Sequence, residues 1–154
     1  MEKTLVIIKP DAVNRGLIGE VLHRFERKGL KVIGLKMQHL SEKVLEEHYS
    51  HLSAKPFFKG LKEFMKSAPS ILLAVEGNKA VEVVRQMCGE TSGAKALPGT
   101  IRGDFYISTQ SNIVHASDSI ESAEKEIKRF FKEGELFKYR KFDLDLIYAE
   151  DERK

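Results

Sequence analysis

The chain has 154 residues, 42% of them apolar, which is enough for one domain with its own core and too apolar for a disordered chain. Its 26 basic and 23 acidic residues leave a net charge of +3, which suits an anionic small molecule as readily as a nucleic acid. The longest apolar runs, such as Ile71–Val75, fall far short of the roughly 20 residues of a membrane span, and the single cysteine, Cys88, excludes an internal disulfide.

Met1–Thr4 leads straight into a strand with no signal-peptide pattern, and with the lone thiol this points to a cytoplasmic setting. Lys3–Lys9 (KTLVIIK) is a near-continuous apolar run, the pattern of a strand covered on both faces. Pro10-Asp11-Ala12 suits a turn or a first helical turn. Ile18, Val21, Leu22 and Phe25 then recur at helical spacing up to Gly29. Leu30–Leu40 predicts a strand, bulged near Gly34.

Ser41 is a helix N-cap for Glu42–Leu52, Pro56 breaks that helix, and Phe57–Lys66 forms another, so a helical hairpin is inserted between strands. His48 and His51, one helical turn apart, are expected on a solvated face. Ile71–Glu76 is a third strand. A helix follows from Gly77 or Asn78, with Ala80, Val81, Val84, Met87 and Cys88 on its apolar side, and Gly89 stops it. Gly89–Gly103 holds four glycines and no period, a length of loop that in a small domain is usually functional or interfacial. Asp104–Thr109 is short and β-like, and Asn112–His115 is the fourth main strand. Ile120–Phe131 is an amphipathic helix, with Asp118 and Glu121 as a capping box. Tyr139–Lys154 is a mixed aromatic and charged tail that packs on a surface. The order β-α-β-(αα)-β-α-β-α predicts an α+β, ferredoxin-like (split βαβ) fold, a single domain over 1–154 with a four-stranded antiparallel sheet and helices on one face.

The residues that carry chemistry gather at the strand-to-helix turn NIVHASDSIES. There is neither a P-loop nor a dinucleotide-binding glycine pattern, and no zinc-spaced Cys/His cluster. His115 ends a strand at a polar turn. A neutral imidazole offers one lone pair for attack and one N–H to be held, and it can carry a phosphoryl group between two partners. An isolated histidine in such a place is more often a core or capping residue, and its company is what shifts the balance. Glu126 lies at the edge of the helix's apolar stripe, where it can reach back and orient the ring. Ser117 is placed either to donate to the ring or a phosphate, or to cap. Arg85 and Arg102 flank the glycine-rich loop and Thr91 lies inside it, a pair of guanidinium forks and a hydroxyl suited to a polyphosphate. Lys9 ends the first strand as a rim or site residue. Phe57 is placed to stack on a nucleobase, whereas Phe58, Leu61 and Phe64 fit ordinary helix packing.

With those residues in hand the chain resembles the nucleoside diphosphate kinase family over nearly its whole length. The matching segments are TLVIIKPDAVNRGLIGEV, EHYSHLSAKPFFKGL, GET…PGTIRGDF and NIVHASDSIESAEKEI. The resemblance implies a ping-pong phosphotransferase in which a nucleoside triphosphate with Mg²⁺ loads His115 and a nucleoside diphosphate empties it. It implies that Glu126 orients His115 and that Ser117 matches the serine beside it. It also implies that Lys9 and Asn112 approach the ribose and phosphates with Tyr49 supporting Lys9, and that Arg85, Thr91 and Arg102 hold the phosphate tail. Phe57 would stack on the base with Leu61 lining the same pocket. No protein side chain is expected to ligate the metal, which the nucleotide phosphates hold. Relatives are mostly hexamers, and the tail here leans toward a homo-hexamer. Three departures stand out: Ala116 for a usual glycine, Ser92-Gly93 for a frequent Asn-Pro, and Thr109 for a frequent aliphatic residue. The competing readings are a single-stranded nucleic-acid-binding module, expected to bind weakly at most because paired exposed aromatics are lacking, and a non-catalytic oligomeric regulator.

Overall fold

The computed structural model describes residues 1–109 and 111–153, so the last residue of the expected tail, Lys154, lies outside it. Strands β1 (Glu2–Ile8), β2 (Lys31–Gln38), β3 (Ser70–Gly77) and β4 (Val114–Ala116) form one sheet in the order β2-β3-β1-β4. Every neighbouring pair is antiparallel, as the split βαβ pattern requires. Helices α1 (Pro10–Asn14) and α2 (Ile18–Arg27) join β1 to β2, and α3 (Glu42–His48) and α4 (Phe58–Lys66) form the insertion before β3. Helix α5 (Ala80–Cys88) and a short α6 (Ile101–Phe105) precede β4, and α7 (Ile120–Phe130) follows it.

β1 is central, and Leu5, Val6, Ile7 and Ile8 are all fully buried. Successive strand side chains point to opposite faces, so this run must be covered twice. Val6 and Ile8 pack with Val21, Phe25, Val84 and Ile101, from α2, α5 and α6. Leu5 and Ile7 pack with Leu45, Met65, Ile127 and Phe130, from α3, α4 and α7. The expectation of helices on one face is therefore corrected: they lie on both. The covered faces of β1 and β3 leave no open platform of the kind that RNA-binding sheets use. Phe25 is fully buried in the first cluster, and Phe25→Ala is expected to cost about 3–5 kcal/mol in a denaturant titration.

Local signals decide most element ends. The β2–β3 register slips between Val32 and Gly34, which is the expected bulge. Ser41 Oγ accepts the Val44 N–H at 3.3 Å and caps α3, and Gly89 ends α5 at φ +78°. Two expectations are corrected. The β-like Asp104–Thr109 segment opens instead inside α6, which starts because Thr100 Oγ1 accepts the Gly103 N–H at 3.1 Å. The cap of α7 is Ser119, whose Oγ takes the Ser122 N–H at 3.1 Å, not an Asp118–Glu121 box.

Beyond α7 the chain turns back on its own sheet: Tyr139 Oη donates to the Val32 carbonyl at 2.6 Å. A short α8 (Leu144–Ile147) leads to Tyr148, whose hydroxyl accepts the Asn78 N–H at 3.3 Å. Among the described residues no helix is long and apolar enough to cross a membrane.

Candidate active site

The antiparallel pairing of β1 with β4 sets Ile7 opposite His115 and Ile8 opposite Val114, so the residues just past these strands meet. Lys9 and Asn112 do so directly: Lys9 Nζ donates to Asn112 Oδ1 at 2.6 Å. Asn112 Nδ2 in turn reaches the carbonyls of Thr91 at 3.1 Å and Thr109 at 3.0 Å, which ties the glycine-rich loop to the strand end. Between Asn112 and β4 the backbone makes a tight γ-turn, with Val114 N–H on the Asn112 carbonyl at 2.7 Å. Its central residue, Ile113, is fully buried at φ +69°, which a β-branched side chain rarely adopts. Two clamps hold it there. Asp11 Oδ2 accepts the Ile113 N–H at 3.1 Å, and the Ile113 carbonyl accepts the Lys9 N–H at 2.8 Å. This turn also explains why β4 begins at Val114, later than the expected Asn112.

His115 faces Glu126 across the start of α7. Its Nε2 lies 3.0 Å from Glu126 Oε2 and 3.2 Å from Oε1. Ser117 Oγ donates to the same Oε2 at 2.6 Å while accepting the Leu5 N–H at 3.3 Å. Ser117 is fully buried and its hydroxyl acts on the carboxylate, so neither expected role for it, bonding the ring or phosphate or capping α7, is what the structure places there. Burial alone would raise the Glu126 pKa, but the hydrogen bonds from His115 and Ser117 outweigh it and keep the carboxyl below its ordinary value.

The floor beneath His115 is aromatic. His48 is buried, and its ring meets that of His115 edge-on at 4.6 Å, that of Tyr49 at 4.5 Å and that of Phe130 at 5.0 Å. The expected solvated face thus holds only for His51. The signal was present, since His48 falls on the helical face of Leu45 and Leu52. Burial, then the His115 and Arg129 charges, push the His48 pKa down to about 2, which keeps the ring neutral. Tyr49 is buried too, and among the described residues its hydroxyl has no hydrogen-bond partner, so it does not support Lys9 through a bond of its own. Burial raises its pKa.

The opposite wall is cationic. Arg102 is buried, and its Nε, Nη1 and Nη2 donate to the carbonyls of Asn112 at 3.2 Å, Gly89 at 2.6 Å and Val114 at 2.8 Å. Most of its fork therefore builds the wall, and two of its five N–H groups remain for a ligand. Arg85 and Thr91 are exposed and line the same cleft. Burial, followed by the Arg102 charge, lowers the Lys9 pKa to about 8, with Asp11 and Cys88 acting in the other direction.

A cleft of about 1030 Å³ joins these walls and brings together Lys9, Arg85, Thr91, Arg102, Asn112 and His115, with Tyr49 and Glu126 also on its surface. Phe57 and Leu61 are not among its lining residues. Phe57, 39% exposed, stands at the head of α4, and Leu61, four residues on, is partly buried against the Leu45–Met65 core. Lys95 and Arg129 line the cleft without having been singled out in the sequence, and Asp118, expected only as a helix cap, lines it too. Ala116 sits in β4 and is not among the positive-φ residues, so its methyl brings no backbone strain. At Gly93 a Cβ would collide with the Tyr106 carbonyl oxygen, so this loop position needs glycine. Thr109 lines the cleft.

The arrangement sets an imidazole against a carboxylate and places Lys9, Arg85 and Arg102 in the same cleft. Comparison with known proteins points the same way. A family model described as nucleoside diphosphate kinase matches residues 2–136. A nucleoside diphosphate kinase of Parabacteroides distasonis is 55% identical over 152 residues, which is 99% of this chain and 99% of that one. A halophilic nucleoside diphosphate kinase from Halobacterium salinarum, solved in complex with CDP, superposes with a TM-score of 0.94 at 41% identity, covering 96% of this chain and 99% of that one. A transition-state mimic of nucleoside-diphosphate kinase from Borrelia burgdorferi, with bound vanadate and ADP, gives a TM-score of 0.87 at 38% identity over 92% of this chain and 94% of that one.

Proposed function

The chain belongs to the nucleoside diphosphate kinase family, and we propose that its phosphotransfer runs through Nδ1 of His115 in two half-reactions. The observation that carries this is the hold on Nε2. An ionised carboxylate only accepts hydrogen bonds, so Glu126 keeps the ring proton on Nε2 and leaves the lone pair on Nδ1. Nδ1 attacks the γ-phosphorus of a nucleoside triphosphate. The bond from that phosphorus to the β–γ bridging oxygen breaks, and a nucleoside diphosphate leaves. Positive charge appears on the phosphorylated ring, and Glu126 balances it. A terminal oxygen of the next diphosphate then takes the phosphoryl group and restores the neutral ring. Such transfers depend on positioning and charge neutralisation more than on covalent help. Lys9, Arg85, Thr91, Arg102 and Asn112 supply those, with Phe57 as an exposed aromatic available to stack on any base.

A divalent cation, Mg²⁺, belongs to this reading as a companion of the nucleotide, where it neutralises charge on the phosphate oxygens. Magnesium favours an octahedron of oxygens. The one cluster of potential ligands among the described residues is His48, His115 and Glu126, and the phosphate wall is cationic. The residues thus fit an ion carried by phosphates and water, not one caged by the protein. The same reading includes a homo-hexamer, to be checked by sedimentation, and a cytoplasmic setting.

Incubation with a γ-labelled triphosphate is expected to give an acid-labile, alkali-stable phosphoprotein that an added diphosphate discharges. Label that survives acid, as on a serine, would overturn the reading. The pH dependence follows from Lys9. The free enzyme loses the Lys9 charge as pH rises through about 8, so kcat/KM should fall on that limb, and Lys9→Arg should remove the limb. In the folding equilibrium the sign is opposite. Between about pH 8 and 10.5 the unfolded chain retains a proton that the folded chain has released, so this group makes stability rise with pH across that window.

A further inference from the structure

His48, His115 and Glu126 each present one ligand atom, and these atoms lie within 4.8 Å of one another. Glu126 Oε1 is 3.2 Å from His115 Nε2 and 3.8 Å from His48 Nδ1, so one carboxylate oxygen stands between two imidazole nitrogens. Two imidazoles and a carboxylate, with a fourth position open, are a donor set that zinc takes and magnesium does not. The surroundings suit ligation. The His48 side chain is 1% exposed and its ring is fixed between those of Tyr49 and Phe130. Ser117 Oγ, 2.6 Å from Glu126 Oε2, braces the carboxylate from behind. Arg129 Nη1 lies 3.4 Å from His48 Nδ1, but Glu47 already holds the same guanidinium at 2.8 Å and gives it a place to withdraw to. All three residues line the cleft, which supplies an entry path.

We propose that a zinc-class transition-metal ion binds His48, Glu126 and His115 Nε2, leaves its fourth position to water or a nucleotide phosphate, and silences the enzyme by fixing the His115 ring proton on Nδ1. The proton balance is simple. A neutral imidazole has one lone pair and one N–H. The metal takes the lone pair at Nε2, the proton moves to Nδ1, and no oxidation or reduction occurs. Nδ1 then has nothing with which to attack phosphorus. This rests on the reading of Nδ1 as the nucleophile.

The test uses the full-length, metal-stripped protein with Mg²⁺ in excess. Co²⁺ is titrated in as a visible-absorption probe and then displaced with Zn²⁺, while His115 labelling from a γ-labelled triphosphate is followed in parallel. One ion per chain is expected, with tetrahedral bands and loss of label uptake in step with occupancy. In His48→Phe the affinity should fall by more than about tenfold, as for loss of one ligand of a three-residue set. Should that variant not fold, X-ray absorption on the zinc-loaded parent protein counts its imidazoles, and two are expected. Absence of saturable binding, a shell with one imidazole, or full occupancy with undiminished labelling would each overturn the proposal. Failure of the metal-free protein to label His115 would overturn the phosphotransfer reading instead, because metal binding is read separately from the absorption bands.

Discussion

His115→Ala is expected to abolish label uptake from a γ-labelled triphosphate and to lower phosphoryl exchange by on the order of 10⁴-fold or more, the scale on which a removed nucleophile is felt. The fold should survive. The ring is part-exposed in the cleft, and Glu126 keeps its hydrogen bond from Ser117 when the ring is gone. The loss of one partner of a carboxylate still reached by solvent changes stability by about 1 kcal/mol. Circular dichroism and a denaturant midpoint close to the parent's, with exchange gone, is the expected pair of results. A variant that still exchanged at the parent rate would remove His115 from the mechanism. Imidazole added to the variant offers a further check, because the cavity it would enter is bounded by the same Glu126 and His48 and it can restore the missing lone pair in part.

Glu126 was legible in the sequence because its position on α7 follows from helical spacing, and the cover on both faces of β1 because its apolar run does not alternate. That same strand already held the answer about the helices. KTLVIIK has no polar alternation, so both of its faces need cover, and the one-face pattern conflicted with it. TIRGDF was misread from Asp104 onward because Ile101 and Phe105, four residues apart, carry the helical period while Thr100 supplies the cap. His48 was misplaced because a histidine beside two glutamates looks solvated until its face with Leu45 is counted. Ile113 is of another kind. No local preference puts isoleucine at positive φ, and the cause is Asp11 and Lys9, contributed from the far end of the chain. The sequence leaves Ser117 open between the ring, a phosphate and a cap, because nothing local shows that Glu126 comes within reach of its hydroxyl.

Arg102→Met is expected to damage stability and nucleotide affinity together, and to leave a signature in the pH profile. The guanidinium is buried and bridges the carbonyls of Gly89, Asn112 and Val114, which belong to the loop start, the γ-turn and β4. Methionine fills similar length but offers no donor, so the Gly89 and Val114 carbonyls lose the guanidinium and the Asn112 carbonyl is left with the Val114 N–H alone. Each unsatisfied buried acceptor costs about 1–3 kcal/mol, and partial access to water from the cleft brings the total to on the order of 3 kcal/mol. Lysine is a poor replacement, since one ammonium cannot match a planar fork that serves three directions. KM for nucleotides should rise by more than about tenfold, because the phosphate wall loses a cation and the loop carrying Thr91 loses its tie at Gly89, keeping the one from Asn112. The signature comes from Lys9. After burial, the Arg102 charge is the other cause that depresses the Lys9 pKa. With that charge removed, the alkaline limb of kcat/KM should move above its parental position near pH 8. Hydration of Lys9 in a loosened fold would move the limb the same way, so the shift is read only in a variant whose circular dichroism and denaturant midpoint show the cleft intact. A limb that stayed in place, in a variant shown to be folded at the assay temperature, would mean that Arg102 does not share an electrostatic environment with Lys9.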